Sequence, residues 1–306
     1  MSQVKRKPGQ YWDKSANPII VKGGGYHCTN ISPGCIHCWA ETTNLRFHNR
    51  IPYDGTRVEF ELDQAILDKV IRRKTRTIYF MCDLMDYLHG RVPDALIWDL
   101  FKFMAENPQH IYLILTKRAD RFCNLIPTIR SKLVNRLFHV KLGLTVCNQV
   151  EANEKIPMVL PFIDWLSLEP MLGAIDLEGG GRCWLSDAGL RIPWIVIGGE
   201  TGPGARPMHP EWVRSVRDQC LDAGVPFFFK NCGAWKPILL GEVSENRGLD
   251  IFKGLHFISP DGTLKKDPGP DKHDELLKRN CWPIQRRRGK DYYLDGRIYN
   301  EVPTWN

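Results

Sequence analysis

The 306-residue sequence has no apolar run approaching the length that spans a bilayer. Its first residues, Met-Ser-Gln-Val-Lys-Arg-Lys-Pro, contain no hydrophobic signal segment. A membrane protein or a secreted one is therefore not expected, and the cytoplasm is the expected location. Without an oxidising compartment, the ten cysteines are expected to be reduced or metal-bound rather than paired as disulfides. No internal repeat of fixed period is present. Apolar residues are not scarce: 43% hydrophobic content with ten tryptophans is enough for one large domain or two small ones. The net charge of +7 favours a polyanionic partner. Much of that excess sits in Lys278-Arg279 and Arg286-Arg287-Arg288-Gly289-Lys290, a run that would equally serve as a solvated tail.

The cysteines are unevenly spread. Cys28, Cys35 and Cys38 fall within eleven residues, spaced C-x6-C-x2-C, and Ser32-Pro33-Gly34 bends the chain between the first and second. Three converging thiolates are costly to hold together unless a metal neutralises them. A structural zinc wants four protein ligands, whereas a [4Fe–4S] cluster held by three cysteines leaves one iron open. Zinc is the rival, with His37 or His27 completing a Cys3His set. Each histidine is a near neighbour of a cysteine and poorly placed to share a tetrahedron with it. Three small buried thiols in a plain core are the third reading.

Around this stretch the apolar pattern alternates regularly. Strands are predicted at 18–21, 76–81, 110–115, 140–144, 165–168, 194–197 and 225–229, with helices following Cys38, from about Asp63, at Pro93, from about Asp120 and at Pro210. Short, nearly continuous apolar strands separated by helices indicate a parallel sheet covered by helices. Seven such strands suggest an α/β fold of TIM-like (β/α) barrel type, complete or partly open. The expected organisation is an arm at residues 1–16, the barrel at 17–235, and a loop-rich extension packed on it at 236–306, with 292–297 as a hairpin fragment. In such barrels the reacting groups follow the strands. Here those positions carry Cys28, Asp83, Lys117, Thr145, Asn148, Glu169, Glu200 and Lys230.

Several segments together resemble the phage-associated three-Cys-motif proteins, a divergent branch of the radical S-adenosylmethionine (SAM) superfamily. They are Ile31-Ser-Pro-Gly-Cys35-Ile-His-Cys38-Trp-Ala-Glu41, Leu115-Thr-Lys-Arg118, Leu166-Ser-Leu-Glu-Pro-Met-Leu-Gly173, Ile197-Gly-Gly-Glu-Thr-Gly-Pro-Gly-Ala-Arg-Pro207, Phe227-Phe-Phe-Lys230 and Leu294-Asp-Gly-Arg297. The resemblance covers nearly the whole chain. It implies a [4Fe–4S] cluster on Cys28, Cys35 and Cys38 whose open iron chelates SAM. Reduction would then release methionine and a 5′-deoxyadenosyl radical that takes a hydrogen from the substrate. The first cysteine interval is six residues, where the superfamily's usual one is three; the resembling family shares the longer loop.

Roles for the strand-end residues combine this resemblance with their chemistry. Lys117 suits the SAM carboxylate and Asp83 its ammonium. Thr145 and Asn148 are candidates for the ribose hydroxyls, and Gly198-Gly199 lets backbone approach SAM closely. Glu200, Lys230, Glu169 and Arg206 are expected to face the substrate, with salt bridges inside the barrel as the alternative. Cys147 is a candidate hydrogen-atom donor, or a buried structural thiol. The expected activity is a radical SAM enzyme modifying or rearranging a nucleobase or nucleotide, within phage DNA in a host cytoplasm, and served by a reductant protein. The rivals are a non-catalytic nucleic-acid-binding protein with structural zinc, and a radical SAM enzyme acting on a small metabolite or peptide.

Overall fold

The computed structural model describes residues 6–187, 189–238, 255–269, 272–286 and 291–304. Strands that are apolar on both faces must be covered on both sides, and the chain satisfies this with one parallel sheet. Its strands are β1 (Lys14–Ala16), β4 (Ile78–Met81), β5 (Ile111–Thr116), β6 (Val140–Thr145), β7 (Trp165–Leu168), β8 (Ile195–Gly198) and β9 (Phe227–Asn231). They run in the order β1-β4-β5-β6-β7-β8-β9, every pair parallel, and curl into a half-barrel. The outer face is covered by α2 (Gln64–Arg72), α3 (Asp94–Glu106), α4 (Ala119–Lys132), α5 (Gln149–Val159) and α6 (Pro210–Asp222). Side-chain caps fix several of these starts: Asp63 accepts from the Ile66 amide, Asn148 from that of Glu151 and His209 from that of Glu211. Among the described residues no helix links β7 to β8; there the connecting loop gives the cover, with Ile175, Leu177, Trp184, Leu185 and Ile192 buried in the same core.

The inner face is filled by a second cluster that includes Ile78, Phe80, Leu113, Trp165, Val196 and Phe228. Alternate residues of a strand share a face, so Lys117, Thr145, Glu169 and Lys230 continue these inward positions at the strand ends. Gly143 keeps the same register, and its missing side chain admits Trp165, whose ring atoms lie 2.3 Å from where a Cβ would stand. Fully buried Tyr11 also enters this interior, packing edge-on against Trp194 and Phe228 with centroids 5.2 Å away in each case.

Two strand assignments differ from the sequence reading. The first strand of the sheet is Lys14–Ala16, inside the segment read as an arm. It is short, polar and two-thirds exposed, so only its pairing with β4 reveals it. The predicted strand before Cys28 exists as β2 (Ile19–Val21), but it pairs antiparallel with β3 (Phe60–Leu62) in a separate ribbon. The region read as loop-rich carries a four-stranded antiparallel sheet, ordered β10 (Trp235–Pro237), β13 (Trp282–Arg286), β11 (Leu255–Ile258), β12 (Leu264–Lys266). Leu294 and Arg297 bridge each other as the hairpin fragment predicts. The chain then returns along β9, where Phe228 bridges Asn300 and the Phe229 amide donates to the Tyr299 carbonyl at 2.9 Å, which covers the open edge. Among the described residues no helix is long and apolar enough to cross a membrane.

Candidate functional site

A cavity of about 420 Å³ opens where the strands end. Cys28, Cys35 and Cys38 all line it, together with Asp83, Asp86, Lys117, Arg118, Thr145, Glu169, Gly199, Glu200 and Lys230. The cysteine segment leads into α1 (Trp39–Phe47) through a single helical turn at Pro33–Cys35, capped by Ser32, whose hydroxyl accepts from the Gly34 amide at 3.1 Å. Gly34 lets this turn press onto the strand ends. A Cβ there would stand 2.4 Å from the Cys147 sulfur and 3.1 Å from Pro170 Cδ.

Two struts hold the cysteine segment from opposite sides. From β8, Glu200 accepts the backbone amide of Arg206 at 2.7 Å and its Nε at 2.9 Å, and Arg206 Nη2 donates to the Pro33 carbonyl at 2.8 Å. From β5, Arg118 Nη2 donates to Thr29 Oγ1 at 2.9 Å and to its carbonyl at 3.1 Å, and lies 4.0 Å from the Cys28 sulfur. Asp86 fixes the β5 turn by accepting from the Thr116 hydroxyl at 2.8 Å and the Lys117 amide at 2.9 Å. The sequence reading passed over Asp86 as a site residue. Its signal was a second acid three residues after Asp83, at the same strand end.

Burial pushes the Cys28 thiol up to about 11, against the pull of nearby Arg118, and burial also raises Cys38. Neutral thiols are therefore preferred until a cationic centre arrives, and a metal would reverse that balance. Burial alone would lower the Lys117 ammonium; the thiolate forms of Cys147, Cys35 and Cys38 and the Asp86 carboxylate raise it, so the ammonium and the deprotonated cysteines favour each other. Among the described residues no three of the Cys, His, Asp and Glu side chains are grouped to hold a single metal ion. A cubane puts each cysteine on a different iron and does not need the sulfurs to meet at one point. His27 is buried outside the cavity, edge-on to His89 at 5.5 Å; His37 lines the cavity beside Gly204. Three sulfur donors of this cavity, the thiols of Cys28, Cys35 and Cys38, are thus carried on one short segment, and three such donors suit the cluster that the resemblance implies.

The other residues singled out from the sequence divide. Thr145 is fully buried, lines the cavity, and its hydroxyl has no hydrogen-bond partner. Asp83 lines the cavity but accepts from the Ser15 hydroxyl and from Asn17 Nδ2, the latter at 2.6 Å, and burial raises its carboxyl. Lys230 pairs with Glu169 at 2.8 Å and lies 5.4 Å above the Trp12 ring; Glu169 also accepts from Ser167 at 3.1 Å and Tyr11 at 3.4 Å. Asn148 spends its side chain on the α5 cap, away from the cavity lining, and Gly198 sits under Glu169 while Gly199 reaches the cavity. Cys147 does not line the cavity. It packs behind the cysteine turn, 3.8 Å from Ser32 Oγ, and burial pushes its thiol up to about 11.

Of the basic segments, Arg286 reaches the loop after β8, next to the cavity-lining Thr201. Arg286 donates to the Gly202 carbonyl at 2.9 Å and Arg279 pairs with Glu275 at 2.9 Å. Arg287, Arg288, Lys290 and Lys5 lie outside the described residues.

Residues 10–303 match a family model whose description is "Protein of unknown function (DUF5131)". No curated protein matches. Among solved structures, the chain is similar to three mutants of spore photoproduct lyase, each at 10% identity. The first covers 91% of this chain and 75% of that one with a TM-score of 0.37. The second covers 86% and 70% with a TM-score of 0.36, and the third 84% and 68% with 0.33. These superpositions are loose, and the architecture above rests on the chain's own strand pairing.

Proposed function

We propose, from the premise that the chain belongs to the DUF5131 family, that it is a radical SAM enzyme acting on a nucleobase or nucleotide. The observation that carries this reading is the joint position of Cys28, Cys35 and Cys38 on one cavity at the C-terminal ends of a parallel half-barrel. The three thiols would hold a [4Fe–4S] cluster. Bound there and given one electron by a reductant protein, the cluster supplies reductive cleavage of SAM to methionine and a 5′-deoxyadenosyl radical that abstracts a substrate hydrogen.

The protein's part is to bind, orient and shield. Lys117 offers a half-buried ammonium for the SAM carboxylate, and Arg118 and Asp86 keep its turn in place. The unpartnered Thr145 hydroxyl is available to a ligand polar group on the cavity floor. Asp83, Asn148, Gly198 and Gly199 are kept as SAM-side candidates, with Asp83 and Gly199 the ones at the cavity. Glu200 and Lys230 are read as substrate-side residues that act only by exchanging their present ion pairs. Cys147 is read as a support for the cysteine turn, since it stands behind it.

Anaerobic reconstitution followed by reduction in the presence of SAM tests the reading. The expected result is about four iron and four sulfide per chain and release of 5′-deoxyadenosine. Stoichiometric zinc without sulfide would replace it with the structural-zinc rival.

A further inference from the structure

The segment that carries the cysteines also presents a surface. Ile31, Ile36, Trp39, Leu45 and Phe47 are all exposed, an unusual density for seventeen residues of chain, and Trp39 lines the cavity while half exposed. Phe47 is 67% exposed on α1, and the Arg46 guanidinium lies 5.0 Å from its ring centre. Arg46, His48 and Arg50 are exposed beside these rings. Glu41, the helix's acid, is turned away and accepts the Tyr53 amide at 2.8 Å. The surface is therefore apolar and basic by turns, and it is continuous with the cavity.

It is also held rigidly. Buried Asn44 donates to Asn49 Oδ1 at 2.7 Å, and Asn49 Nδ2 reaches the Gly24 and Tyr26 carbonyls at 3.1 and 3.2 Å. That network fixes the turn after α1 which shows His48 and Arg50, so little backbone ordering remains to oppose binding. From Trp39 to Phe47 the helix advances about 12 Å, room for more than one stacked base.

We propose that this face, from Trp39 along α1 to Arg50, binds single-stranded nucleic acid and leads one nucleotide into the cavity. Rings that accept any base, interleaved with cations that take phosphates, are the pattern of single-strand recognition. A protein partner or a second copy would want a drier patch with fewer charges among the rings. The proposal rests on the nucleotide-directed reading above and moves the contact from the basic tail to α1.

Fluorescence anisotropy with the full-length protein, prepared anaerobically, tests it. The probes are a labelled DNA oligonucleotide of about twelve nucleotides, its duplex, and the RNA of the same sequence; the DNA and RNA arms decide which strand is preferred. The parent is expected to bind one of the single strands more tightly than the duplex. Phe47→Ala should weaken that binding about tenfold. Arg46→Glu with Arg50→Glu should weaken it and lower the salt slope by roughly 0.7 per lost phosphate contact. Phe138→Ala, which removes an exposed ring at the other end of the sheet, should change nothing. No single-strand binding by the parent, tighter binding of duplex, or a Phe47→Ala variant that binds as the parent does would overturn the proposal. So would a parent that sediments as a dimer and a Phe47→Ala variant that does not, which would assign the face to a second copy. Iron and sulfide are measured in the same samples. A cluster-loaded protein that ignores single strands sinks this surface alone, whereas strand binding by a zinc protein without sulfide sinks the enzyme and leaves the surface.

Discussion

The two flanks of the cavity mouth are built differently. On the β7–β9 flank each of the principal charges has its partner: Glu169 holds Lys230, Ser167 and Tyr11, and Glu200 holds Arg206. On the β5–β6 flank the cysteines face the half-buried Lys117 ammonium, and the buried Thr145 Oγ1 has no hydrogen-bond partner. Buried polar atoms left unpaired are costly, so the second flank is the one that a ligand would complete. The first flank is already complete, and its residues hold the cysteine turn and the barrel interior together.

The largest effect should come from the thiols. Cys28→Ala, Cys35→Ala or Cys38→Ala should abolish iron and sulfide incorporation, while Cys123→Ala and Cys220→Ala, remote from the cavity, should keep it. Next, Lys230→Met strands the Glu169 carboxylate, and denaturant unfolding should show a loss of about 2–3 kcal/mol. Adding Glu169→Gln should recover much of that loss. A single variant as stable as the parent would mean that this flank is not held by its ion pairs.

Lys117→Ala probes the unsatisfied flank. Losing a charge-assisted hydrogen bond should weaken SAM binding by about 2 kcal/mol, roughly thirtyfold by calorimetry, with iron content unchanged. Unaltered affinity would move the carboxylate to Arg118. Arg206→Ala removes the strut to Pro33, worth about 1.5 kcal/mol for a bond to a charged donor. The cluster should still assemble but be stripped faster by a chelator, and equal stripping rates would deny the strut its role.

The last effect is absent at neutral pH and grows only in acid. Burial, with Arg118 and His27 adding to it, lowers the His89 imidazole to about 3. A histidine that stays neutral when folded takes up its proton on unfolding, so the unfolded state binds more protons between about 6.5 and 3. Stability should therefore fall as pH drops through that window, by up to about 1.4 kcal/mol per pH unit. His89→Asn should flatten the decline in an acid titration followed by circular dichroism; an equal slope in the variant would assign it elsewhere.

Much of this was legible in the sequence because strand periodicity and strand-end position carry it. Six of the seven sheet strands, and Lys117, Thr145, Glu169 and Lys230 as inward residues, follow from apolar runs and a period of two. The first strand was not legible, since Lys14-Ser15-Ala16 is an edge whose identity comes only from pairing with β4. Tyr11 looked like part of a polar arm because nothing local says that a half-barrel needs an aromatic plug. The C-terminal sheet was hidden by its turns at Pro260-Asp261-Gly262 and by strands of three to five residues. At the site, three thiols on one short segment were visible, whereas the division between satisfied and unsatisfied flanks depends on distances that no spacing encodes.

The central claim is that three thiols hold a cluster and leave one iron open to SAM. Electron paramagnetic resonance of the reduced protein, recorded before and after adding SAM, tests it most directly. The account predicts a cubane signal that SAM changes in the parent and that is lost in Cys35→Ala. A cluster signal indifferent to SAM, or stoichiometric zinc with no cluster signal at all, would contradict it.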